Sequence, residues 1–100
     1  MEKMNVIMNI SDSTRGYSVD RFPITIGAQI DAYINVTISG STLNHHPIVI
    51  CSTEQTTVFT AHAYNVGASS FTIVVHRMDN DSIPSADYPQ SFYVNVAIFY

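Results

Sequence analysis

The chain has 100 residues, a length at which one domain spanning 1–100 is expected. Apolar residues make up 46% of it and charged residues only 12%, against roughly 25% charged in ordinary globular domains. Its many aromatic and β-branched residues exclude a disordered chain. The net charge is −4 and the chain has four Lys plus Arg, too few to form a basic surface that binds phosphates. No nucleic-acid partner is therefore expected.

The low charge predicts a polar but uncharged surface, together with a subunit interface that hides part of the molecule. The single cysteine, Cys51, allows neither an intrachain disulfide nor a zinc site built from the thiolates of one chain. No apolar run approaches the ~18 residues of a transmembrane helix, and the first residues lack the layout of a signal peptide. We therefore expect no membrane insertion and a fold stabilised by packing and oligomerisation.

Strands are predicted in chain order from the alternation of apolar and polar residues. The first two candidates are 4–10 and 17–26, and Pro23 predicts that the second lies at a sheet edge or contains a bulge. The clearest alternation follows at 29–39, which predicts a half-buried strand. Further β-branched and aromatic segments, separated by polar turns, predict strands at 48–51, 57–66, 70–78 and 92–100.

The connections between these strands point to a fold class. Gly67 and Ala68 predict a hairpin between 57–66 and 70–78. Both faces of 92–100 are largely apolar, which predicts a central strand. No apolar period of 3.6 residues persists for a dozen residues, so no long helix is expected. The predicted fold is all-β, a six- to seven-stranded antiparallel β-sandwich.

The segment 79–90 contains two prolines and three aspartates and is predicted to be a loop. Loops on a rigid β scaffold often carry binding residues, although a solvated connection between the last two strands is the alternative. Asp79 and Asp81 supply oxygen atoms of the kind that Ca²⁺ prefers, but their spacing matches no EF-hand loop. We interpret the segment as an acidic turn.

Four histidines raise the question of a metal site. His45 and His46 are adjacent, so on a strand their side chains would point to opposite faces and would lack a third ligand. His62 and His76 lie on predicted neighbouring strands and could share one face of a sheet. Two histidines do not make a metal site, and we predict neither a metal nor a cofactor.

No sequence pattern indicates catalysis. Cys51 lies in an apolar strand, where a buried and unreactive thiol is expected, and no nucleophile elbow, phosphate loop or carboxylate pair is found. We therefore predict a binding protein rather than an enzyme. Tyrosines at outward positions or in loops suit both sugar rings and protein surfaces; they are Tyr33, Tyr64, Tyr88 and Tyr93.

The second half of the chain resembles the H-type lectin domain and is similar to the lectin-like C-terminal tips of phage tail fibres. The resemblance lies in the apolar strand 57–66 with Tyr64 near its end, the aromatic-led strand 71–76, and a closing strand, 92–100, of the Ala-Ile-aromatic kind. The segment 24–39 fits the opening strands of the family. The resemblance implies a six-stranded antiparallel sandwich assembled as a homotrimer, with ligand sites on loops near the subunit boundaries.

The resemblance also implies a set of sugar-binding positions. His62 stands where H-type lectins place an Arg, and the chain has no Trp for the family's Trp-His pair. Arg77 and Tyr88 would take analogous roles near the loop, and Asp79 and Asp81 would accept hydrogen bonds from sugar hydroxyls. The predicted ligand contacts are His62, Tyr64, His76, Arg77, Asp79, Asp81 and Tyr88.

The function predicted from these observations is a trimeric attachment domain of a viral or phage fibre that binds a cell-surface glycan or glycoprotein receptor. Its expected location is the fibre tip of a virion, or alternatively the extracellular space. Three alternatives stay open: a purely structural virion or fibre component that trimerises without binding a receptor, a cellular H-type lectin, and a metal-dependent hydrolase, which would lose activity on chelation.

Overall fold

The computed structural model describes residues 2–10, 14–27, 31–40, 42–54, 58–78 and 90–100. These residues form strands, and none of the described ranges contains an α-helix, so no described helix is long and apolar enough to cross a lipid bilayer. In chain order the strands are β1 Glu2–Asn9, β2 Tyr17–Ile26, β3 Asp31–Ser39, β4 Ile48–Thr53, β5 Phe59–Tyr64, β6 Ser70–Arg77 and β7 Gln90–Phe99.

The seven strands of the described ranges form two sheets, one with the order β1-β3-β6-β5 and one with the order β2-β7-β4. This arrangement confirms the prediction of an all-β fold, and the two sheets are compatible with the predicted β-sandwich. β7 is the central strand of its sheet, and β2, which contains Pro23, is an edge strand, as the sequence predicted. The predicted hairpin joins β5 and β6, where the N–H of Gly67 donates to the carbonyl of Ser70 at 2.8 Å.

The prediction that all strands pair antiparallel was wrong for one pair. β1 runs parallel to β3, with Val6 opposite Val36, whereas the four other pairings are antiparallel. The reason is topological: after β1 the chain crosses to the other sheet to form β2 and then returns beside β1 as β3. Alternation of side chains fixes which face of a strand is buried, but it carries no information about the direction of the neighbouring strand.

The core lies between the two sheets and is built from the inward positions of nearly every strand. The rings of Phe59 and Phe92 are in contact there, with centroids 5.0 Å apart. The hydroxyl of Thr53, which is buried, donates to the carbonyl of Phe59 at 3.2 Å, so its burial costs no hydrogen bond. Full burial of one large apolar side chain stabilises the fold by about 1.5–3 kcal/mol. The largest fully buried side chains include Phe59, Phe71, Met8, Ile10, Ile26, Ile34, Ile73 and Ile98.

One tight turn depends on a glycine. Gly40 follows β3 with a φ of +94°, in the left-handed region that side chains disfavour. A Cβ atom at this position would collide with the side-chain oxygen of Asn9 and the carbonyl oxygen of Ile10. The close approach accompanies a hydrogen bond from the N–H of Ile10 to the carbonyl of Ser39, at 2.7 Å, which extends the pairing of β1 with β3.

The outer faces of the two sheets differ in character. Most outward positions of the four-stranded sheet carry hydrogen-bonding or aromatic side chains, with Ile7 and Val74 as apolar exceptions. We call the following set the polar face: Lys3, Asn5, Asp31, Tyr33, Asn35, Thr60, His62, Tyr64, Thr72 and His76. One end of the outer face of the three-stranded sheet is hydrophobic, and we call this set the apolar face: Tyr17, Val19, Ile48, Ile50, Ala97 and Phe99.

Candidate ligand-binding face

Strand register brings the two histidines of the polar face together. On β6, His76 lies between Asp31 of β3 and Thr60 of β5, and the next outward residue of β6, Val74, lies opposite His62 of β5. His62 and His76 are therefore diagonal neighbours on one face, as the sequence predicted. Val74 is buried even though it points outward, because the longer side chains around it cover it.

His76 is oriented by a carboxylate. Its Nδ1 lies 2.5 Å from Oδ1 of Asp31, and both side chains are partly exposed. A neutral imidazole that donates from Nδ1 to a carboxylate presents Nε2 as an acceptor, and a protonated one presents it as a donor. In either state the Asp31–His76 pair offers a polar atom in a fixed direction on the polar face.

Two tyrosines form an aromatic ridge next to this pair. The rings of Tyr33 and Tyr64 meet edge to face, with centroids 6.4 Å apart and planes inclined by 75°. This geometry is the preferred one for aromatic pairs. The two residues come from β3 and β5, so the ridge bridges over β6. Each ring offers an apolar surface and each hydroxyl a hydrogen-bonding group.

A shallow depression of about 440 Å³ lies beside the ridge. Its walls combine both tyrosines with the two histidines and one carboxylate, and its lining residues are Asp31, Tyr33, His62, Tyr64, Val74 and His76. A second depression, of about 220 Å³, is lined by Lys3, Asn35 and the same two tyrosines.

Hydrogen bonds between side chains hold the second depression in shape. Nδ2 of Asn35 donates to Oδ1 of Asn5 at 3.2 Å, and the hydroxyl of Thr72 donates to Oδ1 of Asn35 at 3.1 Å. Asn35 is thereby fixed between its neighbours on both sides, while its amide has a second hydrogen to offer to a ligand. These two hydrogen bonds preorganise Asn35 on the polar face.

The predicted ligand contacts divide into three groups. His62, Tyr64 and His76 lie together on the polar face. Arg77 does not join them: it is 4% exposed and points toward the inside of the sandwich, because successive residues of β6 point to opposite faces. The remaining predicted contacts, Asp79, Asp81 and Tyr88, lie outside the described residues, as does most of the predicted loop 79–90.

The sequence-based set missed several residues of this face. Asp31 and Tyr33 line the larger depression, and Lys3 and Asn35 line the smaller one. All four occupy outward positions of their strands, and that signal is visible in the sequence. The sequence does not show that β3 lies next to β6, the strand of His76, or that β1 lies next to β3. The four residues could therefore not be assigned to the site from the sequence.

The described residues present no strong nucleophile. The chain's cysteine, Cys51, lies partly buried on β4. This burial raises the pKa of its thiol from 9.0 to about 11. A thiol with a raised pKa is poorly reactive at neutral pH because the thiolate is the attacking form. Within the described ranges, no three His, Cys, Asp or Glu side chains are grouped to hold a metal ion.

Comparison with known protein families finds no match for this chain, and a comparison with curated proteins finds none either. The likeness to H-type lectins and fibre tips therefore stays a prediction from the strand pattern.

Proposed function

We propose that this protein is a trimeric attachment domain that recognises a cell-surface glycan through the polar face, at the tip of a viral or phage fibre. The observation that carries the proposal is the grouping of two adjoining tyrosines with the Asp31–His76 pair and His62 around one shallow depression. The resemblance to lectin-like fibre tips supports the same reading.

The chemistry of the depression suits a sugar. A pyranose has faces of C–H groups, which pack on aromatic rings, and hydroxyls, which both donate and accept hydrogen bonds. Tyr33 and Tyr64 supply the rings, and Asp31, His62 and His76 supply the polar atoms. The Tyr33–Tyr64 ring contact and the Asp31–His76 pair restrict these side chains before a ligand arrives, which lowers the conformational entropy lost on binding.

The apolar face supports the proposed assembly. Val19, Ile48 and Ile50 are 68%, 67% and 58% exposed, whereas a solvated sheet face usually carries polar residues. Contact surfaces between proteins are one of the places where exposed hydrophobic patches occur. A shallow depression of about 490 Å³ lies at this patch, and a side chain of a neighbouring copy can pack into it. Val19, Ile50 and Ala97 belong to its apolar part, and Asp20 and Arg21 also line it.

A further copy of the same chain is the occupant that we propose for the apolar face. None of its six residues is charged, and the charged residues of the adjoining depression, Asp20 and Arg21, are of opposite sign. The apolar face and the polar face belong to different sheets, so assembly through one leaves the other open. Three sites on one trimer would then raise a weak single-site affinity through multivalency.

The test is binding of the purified protein to a glycan array and to host-cell surfaces. We expect binding to a subset of glycans, and we expect Tyr64→Ala and His62→Ala to abolish it. Thr25→Ala, which changes an exposed position of the other sheet, serves as the control and should bind normally. Absence of binding to every glycan and to host surfaces would contradict the proposal.

A second candidate function is a structural component that trimerises without binding a receptor, and the apolar face favours it equally. It predicts a stable trimer that binds no glycan and whose polar-face variants leave attachment unchanged. The further alternative, a cellular H-type lectin with an extracellular location, predicts a preference for N-acetylgalactosamine-type sugars over other sugars on the same array.

A further inference from the structure

The aromatic ridge lies between the two depressions and forms a wall of each. Tyr33 and Tyr64 line both depressions, with Asp31, His62 and His76 on one side and Lys3 and Asn35 on the other. The two depressions together are long for a single sugar ring, because the four steps from Asp31 to Asn35 along β3 span about 13 Å at about 3.3 Å per residue. A ligand that fills both depressions must therefore have at least two linked units.

The two depressions differ in charge. In the first, the carboxylate of Asp31 is already paired with His76 at 2.5 Å. In the second, Lys3 is exposed, and the ion pairs among the described residues, Arg21–Glu54 and His76–Asp31, do not include it. The second depression therefore has a cation without a carboxylate partner among the described residues, at the edge strand of the sheet.

The amide of Asn35 adds direction to this charge. Asn35 lies in the same depression as Lys3 and is held from both sides by Asn5 and Thr72. An ammonium group acts as a compact positive charge, and an amide hydrogen beside it donates to the same anionic oxygen atoms. Carboxylates and sulfates are the anionic groups that sugars carry, and both fit this pair of donors.

From this arrangement we infer that the polar face binds an acidic oligosaccharide of two or more units, with its anionic group at Lys3 and Asn35 and a neutral unit beside Asp31 and His76. The linkage between the units crosses the Tyr33–Tyr64 ridge. This inference rests on the proposed glycan recognition, and it adds the charge, the minimum length and the orientation of the ligand.

Calorimetric titration with three probes tests the inference: lactose, sialyllactose and a sulfated lactose. We expect an acidic probe to bind about ten-fold more tightly than lactose, the gain typical of one hydrogen bond to a charged group. Sialyllactose and sulfated lactose distinguish a carboxylate from a sulfate as the preferred anion. The advantage of the acidic probe should shrink as the salt concentration rises.

Lys3→Gln should remove the preference for the acidic probe, so that the acidic probe and lactose bind this variant with the same affinity. Arg21→Gln is the matched control, since it removes the same charge from the other sheet and should preserve the preference. Equal binding of lactose and both acidic probes, or a Lys3→Gln variant that keeps the preference, overturns the inference while the proposed function stands. No binding of any glycan, by these probes or on the array, overturns both.

Discussion

The Nδ1 atom of His76 lies 2.5 Å from Oδ1 of Asp31, and the two residues are direct partners across β3 and β6. The contact sets the orientation of the imidazole at the wall of the larger depression. The two residues are 45 positions apart in the chain, so their contact depends on the tertiary structure.

Asp31→Asn is expected to weaken glycan binding several-fold while leaving the fold intact. The carboxylate orients His76, whereas a partly exposed ion pair contributes only about 0.2–1 kcal/mol to stability. Calorimetric titration measures the first effect and thermal unfolding the second. Glu54→Gln is the matched control, since it removes the carboxylate of the other exposed ion pair, Arg21–Glu54, away from the polar face. Unchanged affinity in Asp31→Asn would show that the pair does not serve the ligand.

Tyr33→Ala and Tyr64→Ala should each abolish detectable glycan binding, because either change removes half of the aromatic ridge. Each should also destabilise the fold by about 0.5–1.5 kcal/mol, the contribution of an edge-to-face ring pair. Tyr93→Ala removes an exposed tyrosine from the other sheet and should bind as the parent does. Tyr33→Phe and Tyr64→Phe separate the ring from the hydroxyl: retained binding assigns the effect to the ring.

Val19→Asp or Ile50→Lys should convert the proposed trimer into monomers, because three copies of a charge would be buried at the contact. Analytical ultracentrifugation measures the mass. Ile7→Lys is a matched control, since Ile7 is 66% exposed but lies on the four-stranded sheet; it should remain trimeric. A parent protein that sediments as a monomer would refute the assembly.

The stability of the protein should fall as the pH rises above 9. Burial raises the pKa of Cys51 from 9.0 to about 11, so between these values the unfolded chain has lost a proton that the folded chain still holds. Because the unfolded state then binds fewer protons, the free energy of unfolding decreases with pH. Denaturant unfolding from pH 7 to 10.5 measures this decrease.

Cys51→Val is the comparison for that measurement, because all other titrating groups are common to both proteins. The difference in unfolding free energy between the two proteins should change above pH 9 and be constant below it. A constant difference over the whole range would mean that the thiol titrates alike in the folded and unfolded chains.

Gly40→Ala should destabilise the fold by about 1–3 kcal/mol, since it combines a φ of +94° with a collision against the oxygen atoms of Asn9 and Ile10. A loss of 1 kcal/mol lowers the melting temperature by about 4–8 °C in a domain of this size. Gly67→Ala is the control, because a Cβ there meets only the carbonyl oxygen of Ser70 at an ordinary 3.6 Å. Equal melting temperatures for the two variants would contradict the prediction.

Part of the candidate site could be predicted and part could not. His62 and His76 were expected on one face because β5 and β6 form a hairpin, whose pairing follows from a short turn. Arg77 was expected beside them, yet the same alternation that exposes His76 buries Arg77. Asp31 lies in the site because β3 pairs with β6, and this pairing was not predicted from the sequence.

Local information in the chain was sufficient for the strands and their buried faces. In 31–39 the apolar residues recur at every second position, and the structure buries those positions, because the direction of a side chain on a strand depends on the parity of its position alone. The partners of each strand depend on contacts across the whole molecule. The parallel pairing of β1 with β3 and the contact of Asp31 with His76 therefore depend on the tertiary structure and could not be read from the local sequence.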